Sequence, residues 1–262
     1  MKKTVCVLLA ALIIVFAAAS LTSCSSSVAR AGVGIVSEIG ATENATQQKS
    51  RYTEITCTAA AVVITDKNVV THLAIDALEA SVEFGADGVG KVGNYKTKGE
   101  LKEEYGMKGA SPVGLEWYEQ RDAFVKCAEG KTVEQIKALA ANGGKPGEEL
   151  VKAGCTVNVG DFIAAVEKAV KSAVATSSPD SDKLTLKIST ESKVKNATDT
   201  ADGGITLAIA ALAQASADGE PSAKVSASVS PEIAFSKSGE NKTDKKQSLA
   251  EKVEDMLNMG GE

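Results

Sequence analysis

Residues 55–80, ITCTAAAVVITDKNVVTHLAIDALEA, set two apolar arms around a short polar turn. The arms are Ile55–Ile64 and Val69–Leu78, and the turn is Thr65-Asp66-Lys67-Asn68. Apolar runs joined by an Asp/Asn turn read as a β-hairpin. Strand side chains alternate between faces. Val69, Thr71, Leu73, Ile75 and Ala77 are therefore expected on one face, with Val70, His72, Ala74, Asp76 and Leu78 on the other. The plan returns at 205–230, where Ile205–Ser216 leads through Ala217-Asp218-Gly219-Glu220 to AKVSASVS. There Val225, Ala227 and Val229 alternate with Lys224, Ser226, Ser228 and Ser230.

Set against itself at a shift of 152 residues, the chain matches without a gap from about Ser37 to Asp66. Ser37 faces Ser189, and Asn44-Ala45-Thr46 faces Asn196-Ala197-Thr198. Ala59, Ala61 and Asp66 face Ala211, Ala213 and Asp218. Past the turn a small gap enters, and Glu83-Phe84 then corresponds to Ala234-Phe235. Further on, YKTKGELKEEYGM answers to NKTDKKQSLAEKVEDML as a charged amphipathic helix. This order reads as two copies of one α+β unit, a hairpin-built antiparallel sheet packed with helices. The plainer alternative is two unrelated segments sharing an Ala/Val-rich composition. The expected organisation is a signal at 1–23, a tether at 24–31, a first unit at 32–175, a linker at 176–183 and a truncated second copy at 184–262. A half-unit with a bare sheet face would be poorly stable alone. The second copy is thus either a degenerate domain or a partner that completes the first core.

Only the first copy continues beyond its charged helix. Helical stretches are expected at Pro112–Ala128, Thr132–Ala141 and Asp161 to about Val174. Thr132-Val133-Glu134-Gln135 has the form of a capping box, and Gly143-Gly144 ends that helix. Asp161 is expected as an N-cap. Phe162, Ile163, Val166, Ala169, Val170 and Ala173 recur at helical spacing and form an apolar stripe.

The formal net charge is -5, with acidic and basic residues interspersed. A nucleic-acid partner would call for a basic face or stripe, and the interspersed charge argues against that class. His72 is the single histidine and no cysteines have metal-ligand spacing, which argues against a zinc site and against Ser-His-Asp or Cys-His catalysis. His72 reads as structural. The glycine-rich segment Gly85–Asn94 lacks the Gly-Lys-Ser/Thr ending of a P-loop and reads as a mobile loop. The charges from Lys98 to Glu104 read as a solvated helix face.

Met1-Lys2-Lys3, the apolar run Val5–Ala19 and Leu21-Thr22-Ser23-Cys24 have the order of a secretory signal. The apolar run is too short for a permanent span, which takes about 20 residues. The tetrad closely resembles the lipobox of bacterial lipoproteins. That resemblance implies lipid transfer to the Cys24 thiol, cleavage before Cys24 and a body held at a bilayer by acyl chains such as palmitate. The alternative is an ordinary cleaved signal with a chance cysteine. Ser25-Ser26-Ser27 reads as a flexible tether. Cys57, Cys127 and Cys155 remain in the mature body, so at least one thiol is free or pairs outside the chain. Cys57 is expected as a small buried hydrophobe in its strand. A disulfide between two of the three stays open.

A candidate site lies in AGCTVNVGDFIAAVEKAV, 153–170. The order of hairpin, helices, small loop with a hydroxyl residue and closing helix resembles the bacterial extracytoplasmic FMN-binding domain. Members of that family carry FMN as a phosphoester on a threonine within Ser/Thr-Gly-Ala-Thr, with a further hydroxyl residue two places on. Gly154 and Thr156 match, whereas Ala153, Cys155 and Asn158 depart from the signature. Asp66 and Glu79 fill the family's early hairpin places. The resemblance implies FMN on Thr156, with Gly154 and Cys155 in the binding loop and no attachment loop in the second copy. A glycine lets backbone approach a phosphate, and a helix N-terminus favours the anion. Trp117, Tyr118 or Tyr105 could cover the isoalloxazine ring, although apolar packing is the commoner use of aromatic residues. The plainer reading of the loop is a strand entrance before a capped helix, with no cofactor or a noncovalent ligand.

Two functions follow as expectations. One is a lipid-anchored extracytoplasmic flavin electron carrier with a redox partner, on the outer face of the cytoplasmic membrane or at the cell surface. The other is a cofactor-free surface lipoprotein that binds a small ligand or a partner protein. Both are carriers or binding proteins rather than catalysts.

Overall fold

The computed structural model describes residues 29–93, 95–176, 183–217 and 220–243. It is a mixed α+β fold of two antiparallel sheets, with five α-helices among those residues packed against the first sheet. The signal and Cys24, most of the tether and linker, the turn Asp218-Gly219 and all but the first three residues of the helical stretch expected at 241–257 lie outside the described residues.

The first sheet comprises β1 (Arg30–Ile39), β2 (Arg51–Ile64), β3 (Val70–Phe84), β4 (Gly90–Val92) and β5 (Val174–Ala175), in the order β4-β3-β2-β1-β5. The second comprises β6 (Lys183–Lys195), β7 (Gly203–Ala217) and β8 (Glu220–Val229), in the order β6-β7-β8, with β9 (Glu232–Phe235) also pairing with β7. The glycine-rich segment after Phe84 is therefore a turn leading into β4 rather than a loose loop: Gly85 N–H donates to Val89 O at 3.0 Å and Phe84 pairs with Gly90.

The two sheets repeat each other in register. Arg51 pairs with Phe84 and Gly203 pairs with Phe235. The bridge Thr46–Lys49 recurs as Thr198–Ala201. In the second copy Ser230 and Pro231 separate β8 from β9; Pro231 has no N–H to give a ladder, and β8 and β9 together occupy the place of the unbroken β3. The first strands depart from the gapless match. Ile35 lies opposite Ala59 and Ile188 opposite Ala211, so Ser37 corresponds to Thr190 and not to Ser189. A slip of one residue turns every side chain to the other face, and burying both isoleucines between the sheets fixes the observed register.

β2 is central and buried on both faces. Ala60, Val62 and Ile64 face the helices. Ile55, Cys57, Ala59 and Ala61 face the second sheet, whose Ile205, Leu207, Ile209 and Ala211 meet them. The second copy thus completes the core of the first. The hairpin alternation holds through most of β3 with one correction. A bulge near Thr71 shifts the register, and Val70 joins Leu73 and Ile75 on the helix side instead of sharing a face with Leu78.

The helices are α1 (Lys98–Leu101), α2 (Trp117–Ala128), α3 (Val133–Lys137), α4 (Glu148–Ala153) and α5 (Gly160–Lys171). The Thr132 capping box forms as its sequence indicates. α2 begins at Trp117 rather than Pro112, because the Glu116 side chain accepts from Met107 and Lys108 N–H while its own N–H donates to Glu119. α4 was not foreseen; its six residues are too few for a clear stripe. Asp161 sits within the first turn of α5 and is not its cap; the Asn158 side chain instead accepts from Gly160 N–H at 2.8 Å. Gly32 and Gly34 let α5 lie directly on β1, since a Cβ at either would collide with the carbonyl of Ala169 or Ala165. Their register counterparts in β6 are Thr185 and Lys187, and no described helix covers that sheet.

Candidate functional site

The loop expected to hold a flavin is a helix connection. Gly154 ends α4 in the left-handed conformation, φ 97°, which glycine adopts without strain. Cys155 is fully buried, and its N–H donates to Leu150 O at 2.8 Å. The Thr156 N–H and hydroxyl both donate to Gln120 Oε1, at 2.8 and 2.9 Å. Gln120 is fully buried and donates in turn to Ser111 Oγ and Leu115 O. An ester at Thr156 would take away this hydroxyl proton and leave Gln120 with one donor fewer. The aromatic residues are also engaged. Trp117 is buried edge-on against Phe162 at 5.7 Å. The Tyr105 hydroxyl donates to Glu79 and that of Tyr118 to Glu103. Thr156 and these three aromatic side chains thus each have a partner within the chain. Glu79 is held by Lys98 and Tyr105, and Asp66 lies in the exposed turn of the β2–β3 hairpin.

The three body cysteines are free thiols. Burial pushes Cys57 up to about 12, with the Asp161 carboxylate adding to it. Burial pushes Cys155 up to about 11, opposed by a hydrogen bond from the Val157 backbone. Burial also raises Cys127. Thiols held protonated are poor nucleophiles and poor metal ligands.

A second candidate site emerges where the repeats meet. Each copy places Asn-Ala-Thr after its first strand and a glycine turn after its third. The Asn44 side chain accepts from Asn241 N–H at 2.8 Å, and the Asn196 side chain accepts from Gly90 N–H at 3.2 Å. Ala45 N–H donates to Gly239 O and Ala197 N–H donates to Gly88 O, both at 2.8 Å. Gly88 and Gly239 hold φ of 81° and 79°. A Cβ at Gly88 would stand 2.7 Å from Ala197 O, and one at Gly239 would stand 2.7 Å from Ala45 Cβ. Each repeat thus clasps the turn of the other.

Beside this clasp opens a polar cleft of about 660 Å³, lined by Thr198–Asp202 and Ser236–Ser238, with Gln47 and Ala86. It straddles equivalent places of the two copies: Gln47 answers to Asp199, and Ala86 to Lys237. The second copy supplies the charge, and Lys237 Nζ lies 2.7 Å from Asp199 Oδ1. Hydroxyls, two carboxylates, an amide and an ammonium converge there. His72 sits in β3 and not in this lining, so the cleft presents hydrogen-bonding groups without an imidazole base. Sequence reading used Asn196-Ala197-Thr198 only to align the copies. The signal that could have found the cleft was the recurrence of that tripeptide in a connection, where binding residues concentrate.

No family model, curated protein or solved structure matches the chain.

Proposed function

We propose that the chain is a membrane-anchored extracytoplasmic lipoprotein whose paired sheets form a cofactor-free binding module, with the inter-repeat cleft as its ligand site. The carrying observation is the placement of that cleft. Ala29, where the tether from Cys24 joins the body, packs with Val63 and Ala215 at one end of the sheets. The cleft opens at the other end, beside the Phe84–Phe235 stack. The fourteen residues of β2 separate the two ends by about 43 Å. A lipidated Cys24 would therefore hold the body at the bilayer without burying the cleft. Its hydroxyls and carboxylates suit a hydroxyl-rich polar ligand such as an oligosaccharide. The role is binding rather than catalysis.

Two measurements test this. Cys24→Ser should abolish partition of the exported protein into detergent; unchanged partition removes the lipoprotein reading. A panel of neutral oligosaccharides should shift the amide resonances of Thr198–Asp202 and Ser236–Ser238. Shifts elsewhere, or none, remove the ligand site.

The second reading is a flavin carrier with FMN on Thr156, favoured by the left-handed Gly154 two residues before a half-buried threonine. Flavin fluorescence of the host-made protein in a denaturing gel decides it. The binding-module reading expects a dark band. A fluorescent band lost in Thr156→Ala would establish the carrier.

A further inference from the structure

The outer face of the second sheet is bare among the described residues, and its chemistry is one-sided. β6 alternates in burial from Lys183 to Thr190, with Ile188 buried between the sheets and its neighbours turned outward, and its unbroken pairing with β7 carries the same two faces on to Lys195. The outward set contains Lys183, Lys187, Lys193 and Lys195, all exposed. Across β7, Lys224 on β8 lies opposite Gln214 and faces the same way. None of the five makes an ion pair with a described residue, whereas eight lysines elsewhere are held in ion pairs. Glu191 and Glu232 are the carboxylates on this face. Between the cations lies a strip of mostly short side chains, Ser189, Ala208, Ala210, Ser226 and Ser228, with the half-buried Leu212 between Lys187 and Ser226.

Lysines on an edge strand also block sheet-to-sheet aggregation. That role asks for one or two charges near the edge. β8 is the other edge of this sheet, so Lys224 fits that role as well, but the role does not require four lysines on one face of β6, none of them in an ion pair with a described residue. Nor is the face built to receive a helix. Thr185 and Lys187 stand where β1 has the two glycines that admit α5.

We propose that this lysine-bordered face docks on an anionic bilayer surface. Charge complementarity favours that occupant, and so does the path of the chain. Ala29 packs beside Leu184 and Ala215, at the Lys183 end of the face. The five residues from Cys24 to Ala29 reach at most about 18 Å. A lipid at Cys24 would hold the face within reach of the headgroups, where each lysine strengthens binding by roughly fivefold. One acyl signal plus a basic patch is a stronger attachment than either alone. Docked so, the strands run along the membrane, the helices face away and the cleft stays open at the end. The lipid anchor rests on the proposal above; the face itself does not.

The test therefore uses unlipidated protein, beginning at residue 24 and carrying Cys24→Ser. Binding to sedimented phosphatidylglycerol vesicles at low ionic strength should be clear, should be absent on phosphatidylcholine vesicles and should weaken with salt. Lys187→Glu with Lys193→Glu should weaken it at least tenfold. Lys126→Glu with Lys145→Glu, on exposed positions of the helix side, makes the same change in net charge and should keep most of it. Equal losses in the two variants would overturn the proposal, as would no binding to the anionic vesicles. Capture by a soluble polyanion such as heparin, without vesicle binding, would also overturn it.

Discussion

Phe84 stacks on Phe235, with ring centroids 4.9 Å apart and planes within 10°. The two residues hold equivalent places: Phe84 pairs with Arg51 in the first sheet and Phe235 with Gly203 in the second. The chain has thus put one repeat face to face with the other at the residue each uses to close its sheet.

This stack should be among the costliest places to truncate. Both rings are fully buried. Phe84→Ala and Phe235→Ala should each lose about 3–5 kcal/mol in urea unfolding. The double variant should lose less than the sum, by a coupling of about 0.5–1.5 kcal/mol. Strict additivity would mean the rings stabilise the fold independently.

Gly34 and Lys187 offer a paired test of the repeat register. Gly34→Ala pushes a methyl group into the backbone of α5 and should cost about 3 kcal/mol or more. Lys187→Ala, at the same place in the bare sheet, should change stability by less than about 0.5 kcal/mol. Similar effects at the two positions would contradict the one-residue slip between β1 and β6.

Gln120 holds the loop at Thr156. Gln120→Leu removes the acceptor of both the Thr156 N–H and its hydroxyl and should cost about 1–3 kcal/mol. Thr156→Val should cost less, because the backbone bond survives. If both variants unfold at wild-type denaturant concentrations, this hydrogen-bond pair does not stabilise the loop.

The buried thiols make stability fall in alkali. An unfolded thiol ionises near pH 8.5, whereas burial holds Cys57 protonated up to about 12 and Cys155 up to about 11. Between those limits the unfolded chain releases protons that the folded chain keeps. Stability is full below about pH 8.5 and declines as pH rises, by up to about 1.4 kcal/mol per unit for each thiol. Cys57→Ala should flatten part of that decline between pH 8.5 and 11. An unchanged slope in the variant would show that Cys57 does not carry it.

The clasp predicts symmetric losses. Asn44→Ala and Asn196→Ala each leave a backbone N–H of the other repeat without its acceptor, at Asn241 and Gly90. Each should cost about 1 kcal/mol, measured by thermal unfolding. A large loss at one and none at the other would deny the equivalence of the two contacts.

The sequence by itself determined the repeated hairpin, the stripe of α5 and the Thr132 cap, because each is written in periods of two or 3.6 or in contacts a few residues apart. Other features depended on partners far along the chain. The gapless match slipped at Ser37 because side-chain identity in Ser-, Ala- and Lys-rich strands says little about which face is buried. Only the burial of Ile35 and Ile188 between the sheets decided it. The partner of the Thr156 hydroxyl could not be read from its own loop, because the acceptor is Gln120, 36 residues away. The cleft was invisible because Gln47, Asp199 and Lys237 come together only when the two copies clasp each other's turns. Local order follows from neighbours in sequence, whereas a site follows from which surfaces the buried core brings face to face.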